Sequence, residues 1–298
     1  MVFRVMTAAT LTNSDLNALV RRMHSGSQFV AAERLAGGIS AQVLAVTWRD
    51  AAGAEHRCVV RQYGAADLAA NPRVARDEYE LLRLLSVRGL PVPEPLYYDE
   101  APPGAGAPVL VQAYVEGAVH PSLPGSAVAG QMAEVLGRIH RVASEDVAFL
   151  PPPDPAFLAG AYSTADDRAL DALRHAPPAN PPALLHGDYW PGNVLWRGGA
   201  LVAVIDWEDA AVGDPLADVA NARLELLWAY DQEVAEAFTA AYTGLSGVRM
   251  DALPFWDLRV ALRALHRMTG WGLEPHALAT MRSRTASFMR QALARLPG

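Results

Sequence analysis

The chain has 298 residues, 51% of them hydrophobic and 19% charged, which is typical of a globular protein with one large domain or two lobes. The net charge of −7 and the absence of a basic run argue against a nucleic-acid partner, because phosphate backbones are bound by concentrated cationic faces. No apolar run approaches the roughly 20 residues of a membrane span or forms the core of a signal peptide, so we expect a cytoplasmic location.

Cysteine and lysine usage gives two further constraints. The single cysteine, Cys58, can form neither an intrachain disulfide nor a cysteine zinc cluster, and its apolar surroundings predict a buried residue. All 25 Lys and Arg residues are arginine, which we interpret as a genome-wide composition bias rather than selection against lysine.

The start of the chain predicts a helix followed by three strands. The segment Thr12–Met23 has helical spacing, and its possible N-cap is Asn13 or Ser14. A strand, a turn at Gly37 and Gly38, and a second strand rich in Val and Leu come next. A third strand follows in the run HRCVVRQY.

An amphipathic helix and a further strand complete this module. In RVARDEYELLRLLSVRGL, Leu81, Leu84 and Leu85 share one side, and the helix ends at Gly89 before two prolines. The apolar run PVLVQAYVEG then predicts a strand that breaks at its last glycine.

The rest of the chain is mainly helical. A helix over AVAGQMAEVLGRIHRV carries His140, which we interpret as a packing residue. From about Ala217 nearly every pattern is helical. A sheet-rich front and a helix-rich back predict an α+β fold with an N-terminal lobe of residues 1–115 and a C-terminal lobe of residues 116–298.

The stretch LLHGDYWPGNVLW places a His, an Asp and an Asn within eight residues. The next apolar runs flank a Gly pair and predict a β-hairpin, with Asp188 and Asn193 at its entry and Asp206 at its exit. Two carboxylates and an amide oxygen suit Mg²⁺ bound with substrate phosphates. Phosphoryl transfer needs such a set, since a carboxylate must deprotonate the hydroxyl while metal ligands neutralise a triphosphate. The alternative is that these are ordinary loop residues.

The segments HGDYWPGNVLW and VIDWEDAAVGDPLADVA, in this order, resemble the aminoglycoside phosphotransferase family, the small-molecule branch of the protein-kinase-like fold. The resemblance covers roughly residues 33–230 and implies a bilobal protein with a small sheet-rich lobe and a larger, mainly helical lobe. It makes Asp188 the catalytic base and His186 the brace of the loop. It also makes Asn193 and Asp206 the magnesium ligands.

The resemblance further implies a site for ATP or GTP in the N-terminal lobe. The residues implied to cover the phosphates are Gly37, Gly38 and Ser40. Arg61 stands where the family has a strand lysine, with Glu78 as its implied ion-pair partner and Glu80 as the competing choice. The residues implied to contact the purine are Gln112, Ala113, Tyr114 and Val115. Asp214 and Asp218 match positions that buttress the catalytic loop.

The acceptor is expected to be a small-molecule hydroxyl compound bound by the C-terminal half. Acidic residues there could form a cleft for a polyamine or a solvated surface; they are Glu208, Asp209, Asp231, Glu233 and Glu236. Aromatic residues could line a pocket or belong to the core; they are Trp228, Tyr230, Trp256 and Trp271. The sequence names neither the acceptor, the nucleotide nor the oligomeric state.

Two other functions compete with this prediction. A protein Ser/Thr kinase is disfavoured by Gly187 in place of Arg, by IDW in place of Asp-Phe-Gly, and by the lack of an Ala-Pro-Glu segment. A nucleotide-binding pseudokinase is favoured by Arg61 in place of lysine, whereas the intact Asp188, Asn193 and Asp206 oppose it. We therefore predict a phosphotransferase that moves the γ-phosphate of ATP or GTP to a hydroxyl, with Mg²⁺ and without a covalent enzyme intermediate.

Overall fold

The computed structural model describes residues 11–35, 42–102, 106–119, 121–152, 169, 173 and 179–296. Contacts between residues divide the chain into two units. The first comprises Met1–Glu116 and Ala203–Glu208, and the second comprises Gly117–Val202 and Asp209–Gly298. The short later segment joins the first unit through Val204, whose N–H donates to the carbonyl oxygen of Pro91 at 2.7 Å.

Five antiparallel strands form the sheet of the first unit, in the order β1-β2-β3-β5-β4. Their bounds are β1 Gln28–Arg34, β2 Gln42–Arg49, β3 Glu55–Gln62, β4 Pro95–Asp99 and β5 Val109–Ala113. The central strands bury β-branched residues such as Val46, Val60 and Val111, so the sheet forms where these side chains leave water together. The sequence patterns do not predict β4, because PLYYD lacks a clear apolar alternation.

Helix α1 spans Asn13–Met23, so its N-cap lies before both residues suggested by the sequence. Thr12 is the N-cap: the N–H of Asp15 donates to Thr12 Oγ1 at 3.3 Å, and the N–H of Thr12 donates to Asp15 Oδ2 at 2.9 Å. This reciprocal pair satisfies two N–H groups at the helix start. The prediction of Asn13 or Ser14 is therefore wrong, because the acid at the third helical position selects Thr12.

Helices α2 and α3 of the first unit span Ala65–Ala70 and Val74–Val87. The leucines that α3 buries are Leu81, Leu82 and Leu85. Leu82 takes the place predicted for Leu84, which is only half-buried, so the apolar side is rotated slightly from the prediction. Gly89 follows the helix at φ 69°, a left-handed conformation that commonly ends helices.

The core of the first unit lies between α1 and the sheet. Its buried residues include Leu16, Val20, Leu44, Cys58 and Val109. Cys58 is fully buried, as predicted, and burial raises the pKa of its thiol to about 12. The residue therefore packs as a neutral thiol.

The second unit is mainly helical. Its principal helices are α4 Gly125–Ile139, α5 Leu216–Ala229, α6 Gln232–Ser246, α7 Leu253–Arg267 and α8 Pro275–Arg295. Helix α4 packs on α6, α5 on α6 and α7, and α7 on α8. Arg223 of α5 forms a two-pronged ion pair with Asp257 of α7, with both N–O distances 3.1 Å, and also donates to Thr239 of α6. The sheet of the first unit and these helices confirm the α+β fold class.

Short strands flank the motif-bearing loop of the second unit. They are β6 Ala183–Leu185, β7 Val194–Arg197, β8 Ala200–Val204 and β9 Ala211–Gly213. Strand β6 pairs with β9, and β7 pairs with β8 through a turn at Gly198 and Gly199, both at positive φ. The predicted hairpin is therefore confirmed. Among the described residues, no helix has the length and apolarity needed to span a membrane.

Candidate active site

The segment between β6 and β7 is a tight loop that holds Asp188. Asn193 Nδ2 donates to the carbonyl oxygen of Asp188 at 2.9 Å and to its carboxylate Oδ2 at 3.2 Å. The N–H of Asp188 donates to His186 Nδ1 at 3.2 Å. His186 and Asn193 are buried, whereas Asp188 is partly exposed. The loop therefore orients a carboxylate that a substrate can reach, which is what a general base requires.

Asp218, in the first turn of α5, holds the backbone of this loop. It accepts the N–H of His186 at 2.7 Å and that of Gly187 at 2.9 Å. Its Oδ2 also lies 3.2 Å from Nε2 of His140, whose Nδ1 lies 2.6 Å from the Tyr242 hydroxyl. Burial alone would raise the pKa of Asp218, but its hydrogen bond and electrostatic interaction with His140 contribute most to lowering it below the usual value. His140, interpreted from sequence as a packing residue, thus belongs to the support of the loop.

Asp214 anchors the chain before β6. Its Oδ2 accepts the N–H of Asn180 at 3.0 Å, and its Oδ1 accepts the N–H of Leu216 at 3.0 Å. This side chain ties the approach to the loop to the first turn of α5. Together with Asp218, it gives the second unit two carboxylates that act on backbone N–H groups.

Gly187 has a backbone position that a side chain cannot share. Its φ is 85°, and an added Cβ would lie 2.2 Å from the carbonyl oxygen of Asp209. Both the left-handed conformation and the close approach require glycine. This explains why Gly187 stands where protein kinases have Arg.

In the first unit, Arg61 of β3 is 5% exposed and lies among acidic side chains. Its Nη2 is 2.7 Å from Asp206 Oδ1 and also contacts Glu208 Oε2. Glu78 of α3 accepts the Tyr63 hydroxyl at 2.7 Å and interacts electrostatically with Arg61. Burial would lower the pKa of Arg61, but the neighbouring carboxylates, Asp206 foremost, raise it well above its usual value. Arg61 is therefore a permanent buried cation shared by three acids.

The structure also shows the contacts of two acidic residues, Glu208 and Glu80, for which the sequence allowed more than one interpretation. Glu208, considered for an acceptor cleft, is a partner of Arg61 within the first unit. Glu80, the alternative partner of Arg61, lies 3.5 Å from Arg83 on the exposed side of α3.

Asp206 and Asn193 each have a feature that suits a metal ligand. Asp206 has φ 71°, the one positive value among the described non-glycine residues, and its buried Oδ1 makes no hydrogen bond because the nearby Arg61 nitrogen is not aligned with it. Asn193 commits its Nδ2 to Asp188, which leaves the amide oxygen to act as a ligand. The described residues contain no group of three His, Cys, Asp or Glu side chains suited to a metal.

Other parts of the predicted nucleotide site lie partly within the described residues. Gln112 is buried in β5, and the N–H of Ala113 donates to the carbonyl oxygen of Glu94 at 2.7 Å. Tyr114 follows the strand, with the Arg57 guanidinium 3.8 Å from its ring centre. The backbone past the end of β5, at Tyr114 and the next residue, Val115, is thus the best candidate for a purine edge. The predicted phosphate loop, Gly37, Gly38 and Ser40, lies outside the described residues.

The aromatic residues weighed for the acceptor pocket pack between helices. Trp228 of α5 donates from Nε1 to Thr285 Oγ1 of α8 at 3.0 Å, and its ring meets Trp271 edge-on at 5.8 Å. Trp256 packs against Phe255 at 5.8 Å. These contacts favour a structural role for the tryptophans.

A cluster that the sequence patterns did not single out lies beside the loop in the second unit. Arg263 of α7 donates from Nη2 to Asn221 Oδ1 at 2.6 Å, and Asn221 Nδ2 lies 3.5 Å from the carbonyl oxygen of Tyr189. Glu225 follows Asn221 by one turn of α5. Burial, reinforced by the charge of Asp188, raises the pKa of Glu225 to about 8 against the opposing charge of Arg263. Glu225 therefore carries a proton at neutral pH.

Replacing Glu225 should change how stability depends on pH. Folded Glu225 keeps its proton up to about pH 8, whereas an unfolded Glu loses it near pH 4.3. The stability that this group contributes is therefore complete below about pH 4.3, declines as pH rises from about 4.3 to 8, and is lost above pH 8. In urea unfolding between pH 6 and 8.5, we expect wild type to lose about 2–3 kcal/mol relative to Glu225→Gln. Parallel pH dependences of the two proteins would contradict this assignment.

Arg61 should be more important for stability than an exposed arginine of the same sheet. Arg61→Met leaves buried carboxylates without a cation and should cost about 3–5 kcal/mol, while Arg61→Lys keeps the charge, loses the planar fork, and should cost about 1–2 kcal/mol. The matched control is Arg49→Met, which breaks an exposed pair with Glu55 and should cost less than about 1 kcal/mol. Urea unfolding measures all three, and equal losses for Arg61→Met and Arg49→Met would refute the buried-cation account.

The chain has a five-stranded antiparallel sheet followed by a helical region, in which a buried Asp holds an Asp-x₄-Asn loop. This combination defines a kinase-like phosphotransferase fold. The protein-family model with the description "Phosphotransferase enzyme family" matches residues 31–256. The chain therefore belongs to this family. The family predicted from the two motifs is thereby confirmed.

Curated relatives match over part of the chain. Acyl-CoA dehydrogenase family member 10 of Mus musculus is 27% identical over 193 residues, covering 56% of this chain and 18% of the relative. A homoserine kinase of Beijerinckia indica is 28% identical over 223 residues, covering 64% of this chain and 68% of the kinase. The chain thus spans about a fifth of the first relative and two thirds of the second.

Solved structures share the fold over nearly the whole chain. The GDP complex of aminoglycoside 2'-phosphotransferase-IIIa has a TM-score of 0.63 at 17% identity, covering 95% of this chain and 99% of that one. The macrolide 2'-phosphotransferase of Brachybacterium faecium has a TM-score of 0.60 at 21% identity, covering 95% and 98%. An aminoglycoside phosphotransferase in a ternary complex with AMP-PNP and hygromycin B has a TM-score of 0.62 at 20% identity, covering 93% and 98%.

Proposed function

We propose that the protein is a small-molecule kinase that transfers the γ-phosphate of ATP or GTP to a hydroxyl group. The observation that carries this proposal is the loop in which Asn193 and the backbone contacts of Asp218 hold a partly exposed Asp188. A rigidly held, accessible carboxylate in a member of the phosphotransferase family is suited to orient and deprotonate an alcohol.

The chemical step assigns one role to each part of the chain. Asp188 takes the proton of the acceptor hydroxyl, and the hydroxyl oxygen forms a bond to the γ-phosphorus. The bond between the γ-phosphorus and the β,γ-bridging oxygen breaks, which releases the nucleoside diphosphate. Asn193 and Asp206 would each ligate Mg²⁺, which when bound neutralises phosphate charge. Arg61 would face the phosphates, with Glu78 keeping it in place. His186 braces the loop.

The identity of the nucleotide rests on the neighbours. Three of their structures contain GDP and two contain AMP-PNP, and one of these two, an amicoumacin kinase, also holds Ca²⁺. Both purine nucleotides and a divalent metal therefore belong in the first assays. Since these substrates are supplied in the cytoplasm, we place the reaction there.

The acceptor is a small molecule, by comparison with proteins that act on aminoglycosides, a macrolide and homoserine. These compounds share hydroxyl groups and differ widely in size and charge. The family thus supports the class of reaction and leaves the acceptor to be argued from this chain's own residues.

A pseudokinase is the second candidate, and the ion pair between Arg61 and Asp206 favours it. In this pair the Arg61 guanidinium contacts the Asp206 carboxylate, which is the group that would bind the magnesium ion. A catalytic protein must let Mg²⁺ compete with Arg61 for Asp206, whereas a nucleotide sensor need not.

Release of ADP or GDP separates the two functions. Purified protein is incubated with each nucleotide and Mg²⁺ over pools of aminoglycosides, macrolides, amino alcohols, sugars, hydroxy acids and nucleosides. Release that depends on one pool and on Mg²⁺ supports the kinase. Tight nucleotide binding with no release in any pool would favour the pseudokinase.

A further inference from the structure

Helix α7 carries a row of arginines at four-residue spacing, Arg259, Arg263 and Arg267. This spacing puts successive side chains on one side of the helix, about 6 Å apart along its axis. Arg259 covers the rings of Phe255 and Trp256 at 5.4 and 5.3 Å. The other two continue the row toward the end of the helix.

The middle arginine connects this row to the catalytic loop. Arg263 is half-buried, and its 2.6 Å bond to Asn221 joins it to the side chain that contacts the carbonyl oxygen of Tyr189, next to Asp188. The charges of Asp188 and Asp209 act on Arg263 in this position, as does the like charge of Arg267. The row of arginines therefore passes beside the loop that holds Asp188.

The charge at this place is more positive than the residue types suggest. Glu225, which interacts electrostatically with both Asp188 and Arg263, is protonated at neutral pH because burial raises its pKa to about 8. Arg267 is exposed, and within the described part of the chain no carboxylate forms an ion pair with it. The charged groups that act on Arg263 are thus Asp188, Asp209 and Arg267.

The acids predicted for a polycation cleft are mostly engaged elsewhere. Glu208 contacts Arg61 in the first unit, Asp231 caps α6 by accepting the N–H of Val234 at 3.0 Å, and Glu236 accepts Gln232 Nε2 at 2.8 Å. Three of the five predicted acids thus have partners away from Asp188, whereas Asp209 acts on Arg263.

We infer that Arg263 and Arg267 bind an oxyanion on the acceptor, so that the substrate is a hydroxyl compound that also carries a carboxylate or a phosphate group. Two arginines one turn apart can donate several charge-assisted hydrogen bonds to one oxyanion. Binding there would place the acceptor hydroxyl toward Asp188. This inference rests on the proposed kinase function and names its substrate class.

The test compares acceptors of different charge. Nucleoside diphosphate release is measured with pools of hydroxycarboxylates and of polyol or sugar phosphates, and with pools of aminoglycosides, amino alcohols and neutral sugars. We expect release in one of the two anionic pools, and which pool responds distinguishes carboxylate from phosphate. The uncharged analogue of the active compound, its amide or its dephosphorylated form, should have kcat/KM lower by about 100-fold or more, the scale of lost hydrogen bonds to charged groups.

Variants of Arg267 supply the residue-level test, since this exposed side chain can be replaced without disturbing the core. Arg267→Ala should raise KM for the anionic acceptor about 10- to 100-fold, while KM for the nucleotide stays within about twofold. Arg267→Lys should recover much of the loss. The matched control is Arg282→Ala on α8, equally exposed, which should behave as wild type.

The outcomes separate the two levels of the account. Asp188-dependent release with a cationic or neutral pool and none with the anionic pools would overturn this inference and leave the kinase function standing. An unchanged acceptor KM in Arg267→Ala would also overturn it. Silence in every pool would overturn the kinase function and the inference together.

Discussion

Asp188→Ala should abolish phosphate transfer while nucleotide binding persists. Asp188 is the partly exposed carboxylate of the loop, and its removal takes away the group that receives the hydroxyl proton. We expect kcat to fall about 100- to 10,000-fold, the range for loss of a general base. Nucleotide affinity, measured by calorimetry, should change less than about threefold, because the nucleotide contacts are assigned to other residues.

Asp188→Asn refines this result, because it keeps the shape of the side chain and removes only the charge and basicity. It should fall nearly as far as Asp188→Ala. Asp251→Asn, an exposed carboxylate of the same unit, is the matched control and should leave kcat unchanged. If Asp188→Ala lost nucleotide binding, Asp188 would be part of the nucleotide site and its assignment as base would be wrong.

Gly187→Ala should destabilise the protein and disable the loop. The substitution forces a left-handed alanine and drives its Cβ to within 2.2 Å of the Asp209 carbonyl oxygen. The two effects together should cost about 2–5 kcal/mol. Because Gly187 precedes Asp188, we also expect kcat to fall in whatever fraction remains folded.

Gly198→Ala separates these two effects. Gly198 has a similar backbone at φ 58°, but an added Cβ there would meet nothing within 4 Å. Its replacement should cost only about 1–2 kcal/mol, the strain of the left-handed conformation. Urea unfolding measures both variants, and equal losses would show that the contact with Asp209 relaxes at no cost.

The sequence predicted the parts that depend on local pattern. Residue spacing and turn residues predict the strands rich in Val and Leu, the hairpin at Gly198 and Gly199, and the loop from His186 to Asn193. The paired motifs then identified the family. Errors within local structure were small, such as the N-cap of α1, which is Thr12 and not Asn13 or Ser14.

The sequence could not predict which distant side chains meet. Arg61 contacts Glu208 across 147 positions in the chain, and His140 reaches Asp218 across 78. Neither pair has a periodic signature, since each depends on how separate elements pack. His140 looked like a core residue because its helix is amphipathic, and only the packed structure shows what its two ring nitrogens contact.

The cluster beside Asp188 was missed for a related reason. The four-residue spacing of Asn221 and Glu225 on α5, and of Arg263 and Arg267 on α7, is visible in sequence but is also the ordinary pattern of a solvated helix surface. What distinguishes these residues is that the two helices face each other and leave Glu225 protonated. The spacing was therefore a signal whose meaning depended on packing.

Transfer of labelled γ-phosphate shows directly whether the protein is a small-molecule kinase. Wild type and Asp188→Asn are incubated with γ-labelled nucleotide, Mg²⁺ and the acceptor pool that stimulates diphosphate release, and the labelled products are separated. A small-molecule kinase should put label on a small molecule with wild type, none without Mg²⁺, and about 100-fold less or lower with Asp188→Asn. Label that appears only as inorganic phosphate or on protein, or that is equal in the two proteins, would contradict it.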